Sequence, residues 1–264
     1  MSLKDSHSVL EVKDLSIGYF LKKKQILISK EINFTVPKGE LVSIVGINGI
    51  GKSTLLRTLA NMQPALNGIV HLNNKNISDY SSFQLANTIS IVLTETPSSK
   101  SLSVLELITL GRNPYTNWIG TLSENDKKII QNAIDITEIE DLVNYKCMEL
   151  SDGQLQRVMI ARALAQDTPF ILLDEPTTHL DIYHRAYLLK LLKKLAIEKQ
   201  KTIIFSTQEI DLAIQVSNKM IVMTTDKVHF DQPNKLIELG CFNTLFPSET
   251  IEFNKDMKRF VLRD

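Results

Sequence analysis

Apolar and polar positions alternate over residues 9–18 and again over 31–36, the period of half-buried β-strands. Turn-prone residues 22–25 separate the two stretches, and Pro37-Lys38-Gly39 follows the second. The pattern predicts antiparallel strands leading into a largely apolar run, residues 41–46, which reads as a buried strand. Residues 69–72 with Asn73-Asn74 predict a further strand and turn. From about residue 78 to 164 the period becomes mostly helical, and Ser123 with Asp126 forms the signature of a capping box opening a helix near 124–137. Residues 170–173 restore a buried strand. Beyond it, residues 183–199 and 211–217 have a helical period, whereas 202–206 and 219–223 read as strands.

That alternation of strands and helices implies parallel pairing in an α/β fold, with ligand sites at the carboxyl ends of the strands. The chain of 264 residues is long enough for one large α/β domain or a domain with a subdomain, and its 43% hydrophobic content suffices for a sizeable core. Thirty basic residues balance thirty acidic ones, so no global charge points to nucleic acid. The short Lys22-Lys23-Lys24 run reads as a solvated hairpin tip. Cys147 and Cys241 lie too far apart to suggest a disulfide framework or a metal-spaced cluster. No apolar run approaches the ~18 residues of a membrane span, and the first seven residues lack an apolar signal core. The expectation is a cytoplasmic protein, which leaves docking onto a membrane protein open.

The chemistry begins between the strand at 41–46 and the apolar stretch 55–60. Residues 46–54 read Gly-Ile-Asn-Gly-Ile-Gly-Lys-Ser-Thr, matching the phosphate-loop pattern G-x-x-x-x-G-K-[ST] from Gly46 to Ser53. The strand–loop–helix setting is the context that pattern needs. Gly46, Asn48, Gly49, Gly51 and Thr54 are the candidate phosphate-loop contacts beside Lys52 and Ser53. The glycines let backbone N–H groups close around a polyphosphate, and the helix read over 55–60 adds its positive end. Lys52 has the reach for the β- and γ-phosphates, and the Ser53 hydroxyl can ligate Mg²⁺. The expected ligands are ATP and Mg²⁺.

A second group follows the strand 170–173. Asp174 is placed to hold Mg²⁺, and Glu175 to polarise a water for in-line attack on the γ-phosphate. Upstream, Leu150-Ser151-Asp152-Gly153-Gln154 precedes a helical stretch, and Ser151 with Gln154 alone would make a capping box.

Together with the phosphate loop and Asp174-Glu175, residues 150–154 resemble the L-S-G-G-Q signature of the ATP-binding cassette (ABC) family. Pro176 and the segment Thr178-His179-Leu180-Asp181, similar to that family's D-loop, extend the resemblance over most of the chain. It implies a phosphate-loop NTPase core with a mixed sheet, an antiparallel β subdomain and a helical subdomain of about residues 78–165. The cassette would span 9–245, with a short tail at 246–264. Tyr19 lies where the family carries an aromatic that stacks on adenine; as a strand aromatic it can equally pack in the core. The resemblance further implies a head-to-tail homodimer enclosing two ATP molecules. Ser151, Gly153, Gln154 and Asp181 of one subunit would then complete the site that residues 46–54 begin on the other.

Within the family, Gly111-Arg112-Asn113-Pro114-Tyr115 and residues 164–169 resemble segments of importer ATPases for iron–siderophore chelates, haem and cobalamin. Such subunits drive integral-membrane permeases and serve a solute-binding protein indirectly, on the inner face of the membrane. Tyr115 and Trp118 could face the permease or pack within the helical subdomain.

Three positions depart from the family pattern. Asp152 replaces the first signature glycine. Thr94, followed by Glu95, stands where a glutamine is expected to approach Mg²⁺. Gln208 stands at the switch position, normally histidine, with Glu209 next. A glutamine amide can orient a γ-phosphate oxygen or the attacking water but cannot exchange a proton near neutral pH. The leading expectation is an active ATPase driving an importer. The alternatives are a poorly hydrolytic, nucleotide-gated regulatory module and a soluble cassette protein acting on ribosomes or DNA.

Overall fold

A computed structural model describes residues 8–22, 24–94, 101–246 and 249–263. Along the first half run β1 (Ser8–Leu21), β2 (Lys24–Pro37), β3 (Leu41–Val45), α1 (Lys52–Leu59), β4 (Asn67–Leu72) and β5 (Lys75–Asn76). They are followed by α2 (Ser82–Ala86), β6 (Ile89–Val92), α3 (Val104–Thr109), α4 (Glu124–Thr137) and α5 (Asp152–Ala165). The remainder holds β7 (Phe170–Leu173), α6 (Ile182–Lys199), β8 (Thr202–Ser206), α7 (Ile210–Val216), β9 (Lys219–Met223), β10 (Val228–Asp231) and α8 (Pro233–Glu238). Strands β11 (Ile251–Asn254) and β12 (Arg259–Leu262) close the chain. The chain forms two compact units, one of Met1–Asp79 with Leu189–Asp264 and one of Tyr80–Leu188.

In the first unit, β3 pairs in parallel with both β8 and β9, and β10 adds antiparallel to β9. Every residue of β3 and β8 is buried, as expected for central strands covered on both faces. The Ser217 hydroxyl donates to the buried hydroxyl of Ser43, 2.9 Å away. Strands β2, β1, β4 and β5 make a separate antiparallel sheet.

Strand β2 is longer than the alternation suggested, because the hairpin stays paired up to Leu21↔Lys24. The hairpin's pattern is broken at Asp14 in β1 and Glu31 in β2, both in the left-handed region at φ 47° and 56°. The Asn33 side chain holds this irregularity together. Its Oδ1 accepts from the Asp14 N–H (2.9 Å), and its Nδ2 donates to the Asp14 carboxylate (3.1 Å) and the Glu31 carbonyl (3.0 Å). The C-terminal hairpin β11–β12 is also ordered by side chains. Phe253 and Phe260 are cross-strand partners, and Phe253 stacks on Phe242 with centroids 4.8 Å apart.

In the second unit, β6 and β7 pair in parallel. Helices α2, α3, α4 and α5 all open with a serine capping box: Ser81/Gln84, Ser103/Glu106, Ser123/Asp126 and Ser151/Gln154. Each satisfies two otherwise orphaned N–H groups at a helix start. Arg112 locks this unit internally. Arg112 is 4% exposed, and its guanidinium pairs with Asp126 at 2.8 Å and donates to the Ala165 carbonyl at 2.8 Å. Gly111 allows the close approach, since a Cβ there would lie 2.4 Å from the Arg162 carbonyl oxygen. The Gln166 amide ties the end of α5 to the carbonyls of Ala86 (2.7 Å) and Ile89 (2.9 Å).

Candidate functional site

In the first unit, the chain leaves β3 at Val45 and enters α1 at Lys52 through a loop that glycine makes possible. Gly51 has φ +109°, and a Cβ there would sit 2.4 Å from Ile28 Cγ2. The helix begins earlier than its apolar residues implied, so Lys52, Ser53 and Thr54 form its first turn. No side chain caps α1, in contrast to the serine-capped helices of the other unit. A helix N-terminus of this kind presents N–H groups and a positive dipole end to an anion. Lys52 is 5% exposed, and its ammonium folds back over the loop, donating to the carbonyls of Gly46 (3.0 Å) and Ile47 (3.4 Å). A phosphate oxygen can take the place of those carbonyls. Ser53 and Thr54 are half-buried, and Asn48 and Gly49 form the exposed tip.

Tyr19 is 48% exposed, so it is no core residue. It pairs with Ile26 in the β1–β2 hairpin, two positions from the Ile28 side chain that abuts Gly51. The hairpin thus carries an exposed aromatic ring beside the loop. Gln208 lies at the carboxyl end of β8, just beyond Thr207, whose N–H extends the ladder by donating to Ile44 (3.0 Å). The Thr207 hydroxyl accepts from the Glu209 N–H (3.0 Å) and shapes the turn that leaves Gln208 exposed.

In the second unit, Asp174 is 1% exposed and follows β7, with its N–H donating to the Val92 carbonyl at 2.8 Å. The Thr94 hydroxyl donates to Asp174 Oδ2 at 3.1 Å. Glu95 lies outside the described residues. Glu175 adopts a left-handed φ of 48°, unusual for a residue with a side chain. The Thr178 N–H donates to its carbonyl at 3.1 Å, closing a turn.

Ser151 and Gln154 are joined through their capping box, with the Ser151 N–H donating to Gln154 Oε1 at 2.9 Å. They open onto a cleft of about 380 Å³, lined also by Asp152, Gly153, Arg157, His179, Leu180, Asp181 and His184. A Cβ on Gly153 would lie 3.0 Å from the His179 carbonyl oxygen, so the helix start and the 178–181 segment nearly touch. Asp181 is the N-terminal cap of α6. Its carboxylate accepts from the His184 N–H (2.9 Å) and lies 2.7 Å from His184 Nδ1. The bond from the His184 backbone, followed by that from its ring, lowers the Asp181 pKa below the ordinary carboxylate value. Reading the sequence by motif gave no signal for Arg157 or His184 as neighbours of Ser151. Their proximity comes from tertiary packing.

The family description "ABC transporter" matches residues 29–178, more than half of the chain and inclusive of the phosphate loop, the 151–154 segment and Asp174-Glu175. The chain belongs to the ABC transporter family. An uncharacterised ABC transporter ATP-binding protein of Methanocaldococcus jannaschii is 35% identical over 257 residues, covering 97% of this chain and 87% of that protein. The iron(3+)-hydroxamate import ATP-binding protein FhuC of Bacillus subtilis is 38% identical over 215 residues, 81% of this chain and 78% of that protein. Among solved structures, the dimeric post-hydrolysis state of the ATP-binding cassette MJ0796 bound to ADP and Pi matches with a TM-score of 0.76 and 29% identity. It covers 85% of this chain and 98% of that one. Membership makes the protein an ATP-binding subunit with ATPase activity.

Proposed function

We propose that this ABC ATPase is the motor subunit of an importer for iron–siderophore chelates or the related haem and cobalamin class. The observation that carries the motor reading is the buried Lys52 ammonium held over a glycine-shaped loop at the uncapped start of α1. Support for the cargo class comes from the likeness to the iron(3+)-hydroxamate import protein of Bacillus subtilis. Among the described residues no helix is long and apolar enough to cross a membrane, and the proposal assigns that path to integral-membrane permease subunits. A solute-binding protein would deliver cargo to them. The subunit would sit on the cytoplasmic face, with Trp118 (94% exposed) and Ile119 (69% exposed) offering an apolar contact to the permease.

Each site residue then has a role. Tyr19 stacks on adenine, while Gly46, Asn48, Gly49, Gly51 and Thr54 cradle the phosphates with Lys52. The donors proposed for Mg²⁺ are the Ser53 hydroxyl and the Asp174 carboxylate. They are hard oxygens of the kind that ion takes, and a carboxylate only 1% exposed gains from a cation beside it. When bound, Mg²⁺ neutralises charge on the β- and γ-phosphate oxygens. Glu175 accepts the proton of the attacking water, and Gln208 orients that water or a γ-phosphate oxygen. In a head-to-tail homodimer, Ser151 and the Gly153 N–H of one protomer donate to the γ-phosphate held by its partner. Gln154 fixes Ser151, and Asp181 holds the 178–181 segment by capping α6.

Gln208 also supports a second reading, a nucleotide-gated module with slow turnover. Steady-state ATP hydrolysis by the purified chain, with co-purification of a membrane permease, tests both. Turnover abolished by Lys52→Ala together with permease association supports the motor. Permease association with no Lys52-dependent turnover favours the gated module, and neither result would sink both.

A further inference from the structure

We propose that Thr94 acts on the metal-bound nucleotide as a positioning residue for the Asp174 carboxylate, rather than by contacting the cation. This rests on the nucleotide reading above. The geometry starts in the parallel ladder. Val92 pairs with Leu173, and the Asp174 N–H continues the ladder by donating to the Val92 carbonyl at 2.8 Å. The chain leaving β6 therefore runs beside the chain leaving β7, and Thr94 comes alongside Asp174 although 80 positions separate them. There the hydroxyl donates to Asp174 Oδ2 at 3.1 Å.

Asp174 is 1% exposed, so water contributes little to fixing its carboxylate plane. A donated hydrogen bond to one oxygen selects a rotamer of the carboxylate. Threonine suits this task better than the longer glutamine arm usual at this position. Its β-branched side chain has few rotamers, and its single polar group is already engaged with Asp174. The substitution at residue 94 thus exchanges a side chain long enough to reach a cation for one that holds the group that does.

The test is binding of a fluorescent ATP analogue by the full chain, titrated with Mg²⁺ and repeated in EDTA. Thr94→Val keeps the shape and removes the donor; Thr94→Ser keeps the donor. Loss of one charge-assisted hydrogen bond is expected to raise the half-saturating Mg²⁺ concentration roughly ten-fold in Thr94→Val. Metal-free binding should stay within about two-fold, the change left when phosphate contacts elsewhere are intact. Thr94→Ser should restore the wild-type Mg²⁺ response. Thr94→Val with an unaltered Mg²⁺ dependence, Thr94→Ser behaving like valine, or an equal loss of metal-free binding would each overturn the assignment. Wild-type protein that binds no analogue with or without Mg²⁺ would instead overturn the nucleotide reading, whereas one that binds it but ignores Mg²⁺ would overturn this proposal alone.

Discussion

Lys52 carries the largest share of the argument at the scale of single residues. Its ammonium is held by its own loop, so replacing it removes charge from a preformed cradle. Lys52→Ala is expected to reduce ATP affinity beyond detection in a filter or fluorescence assay while leaving the circular dichroism spectrum unchanged. Gly51 serves the same cradle through backbone freedom. At φ +109° with Ile28 Cγ2 in the way, Gly51→Ala is strained and crowded at once. It should lower stability by roughly 1–3 kcal/mol in urea unfolding and weaken nucleotide binding. Gln208 separates orientation from proton exchange. Gln208→Ala should lower kcat by about ten- to a thousand-fold, the range for losing one transition-state donor. Gln208→His should stay active and acquire a pH step near the imidazole value of about 6.5, absent from wild type. Steady-state hydrolysis against pH for the three proteins checks it, and an alanine variant equal to wild type would make Gln208 a bystander.

At the scale of elements, the buried Arg112–Asp126 pair joins the segment after α3 to the N-terminus of α4. Asp126 also belongs to the Ser123 capping box, with Oδ2 accepting from the Ser123 hydroxyl at 2.6 Å. The Ser123 hydroxyl, assisted by its N–H and by Arg112, outweighs burial and holds the Asp126 pKa below the ordinary carboxylate value. A depressed folded pKa means this stabilisation is complete above the unfolded value of about 3.9 and fades as pH falls through the folded one. Asp126→Ala should therefore cost about 3–5 kcal/mol at neutral pH, since it strands a buried guanidinium. It should also flatten the loss of stability below about pH 4 that wild type shows in urea titrations across pH.

These elements mark what could be read from the chain. Capping at Ser123 and Ser151 was legible because a capping box is a four-residue event, and the phosphate loop because its glycines and lysine are contiguous. Arg112 was visible only as part of a family-like segment, since its partners Asp126 and Ala165 lie 14 and 53 positions away. The Asn33 staple that prolongs β2 and the bond from Thr94 to Asp174 depend on cross-strand register, which alternation alone does not specify. Residues 251–262, read only as tail, form a hairpin because Phe253 and Phe260 meet across it.

At the scale of the whole molecule, the account makes the site a property of two protomers. The apolar Trp118 and Ile119 give a first consequence. Trp118→Glu should leave hydrolysis by the purified subunit unchanged yet reduce its co-purification with the permease. The more direct consequence concerns ATP itself. If Ser151 and Gly153 of one subunit hold the γ-phosphate bound by the other, ATP joins the protomers and hydrolysis releases them. Glu175→Gln removes the proposed base and keeps the proposed phosphate contacts. Size-exclusion chromatography with light scattering, in ATP and Mg²⁺, should show this variant as a dimer that reverts to monomer when ADP replaces ATP. A variant that binds ATP and still elutes as a monomer at high protein concentration would contradict the shared site.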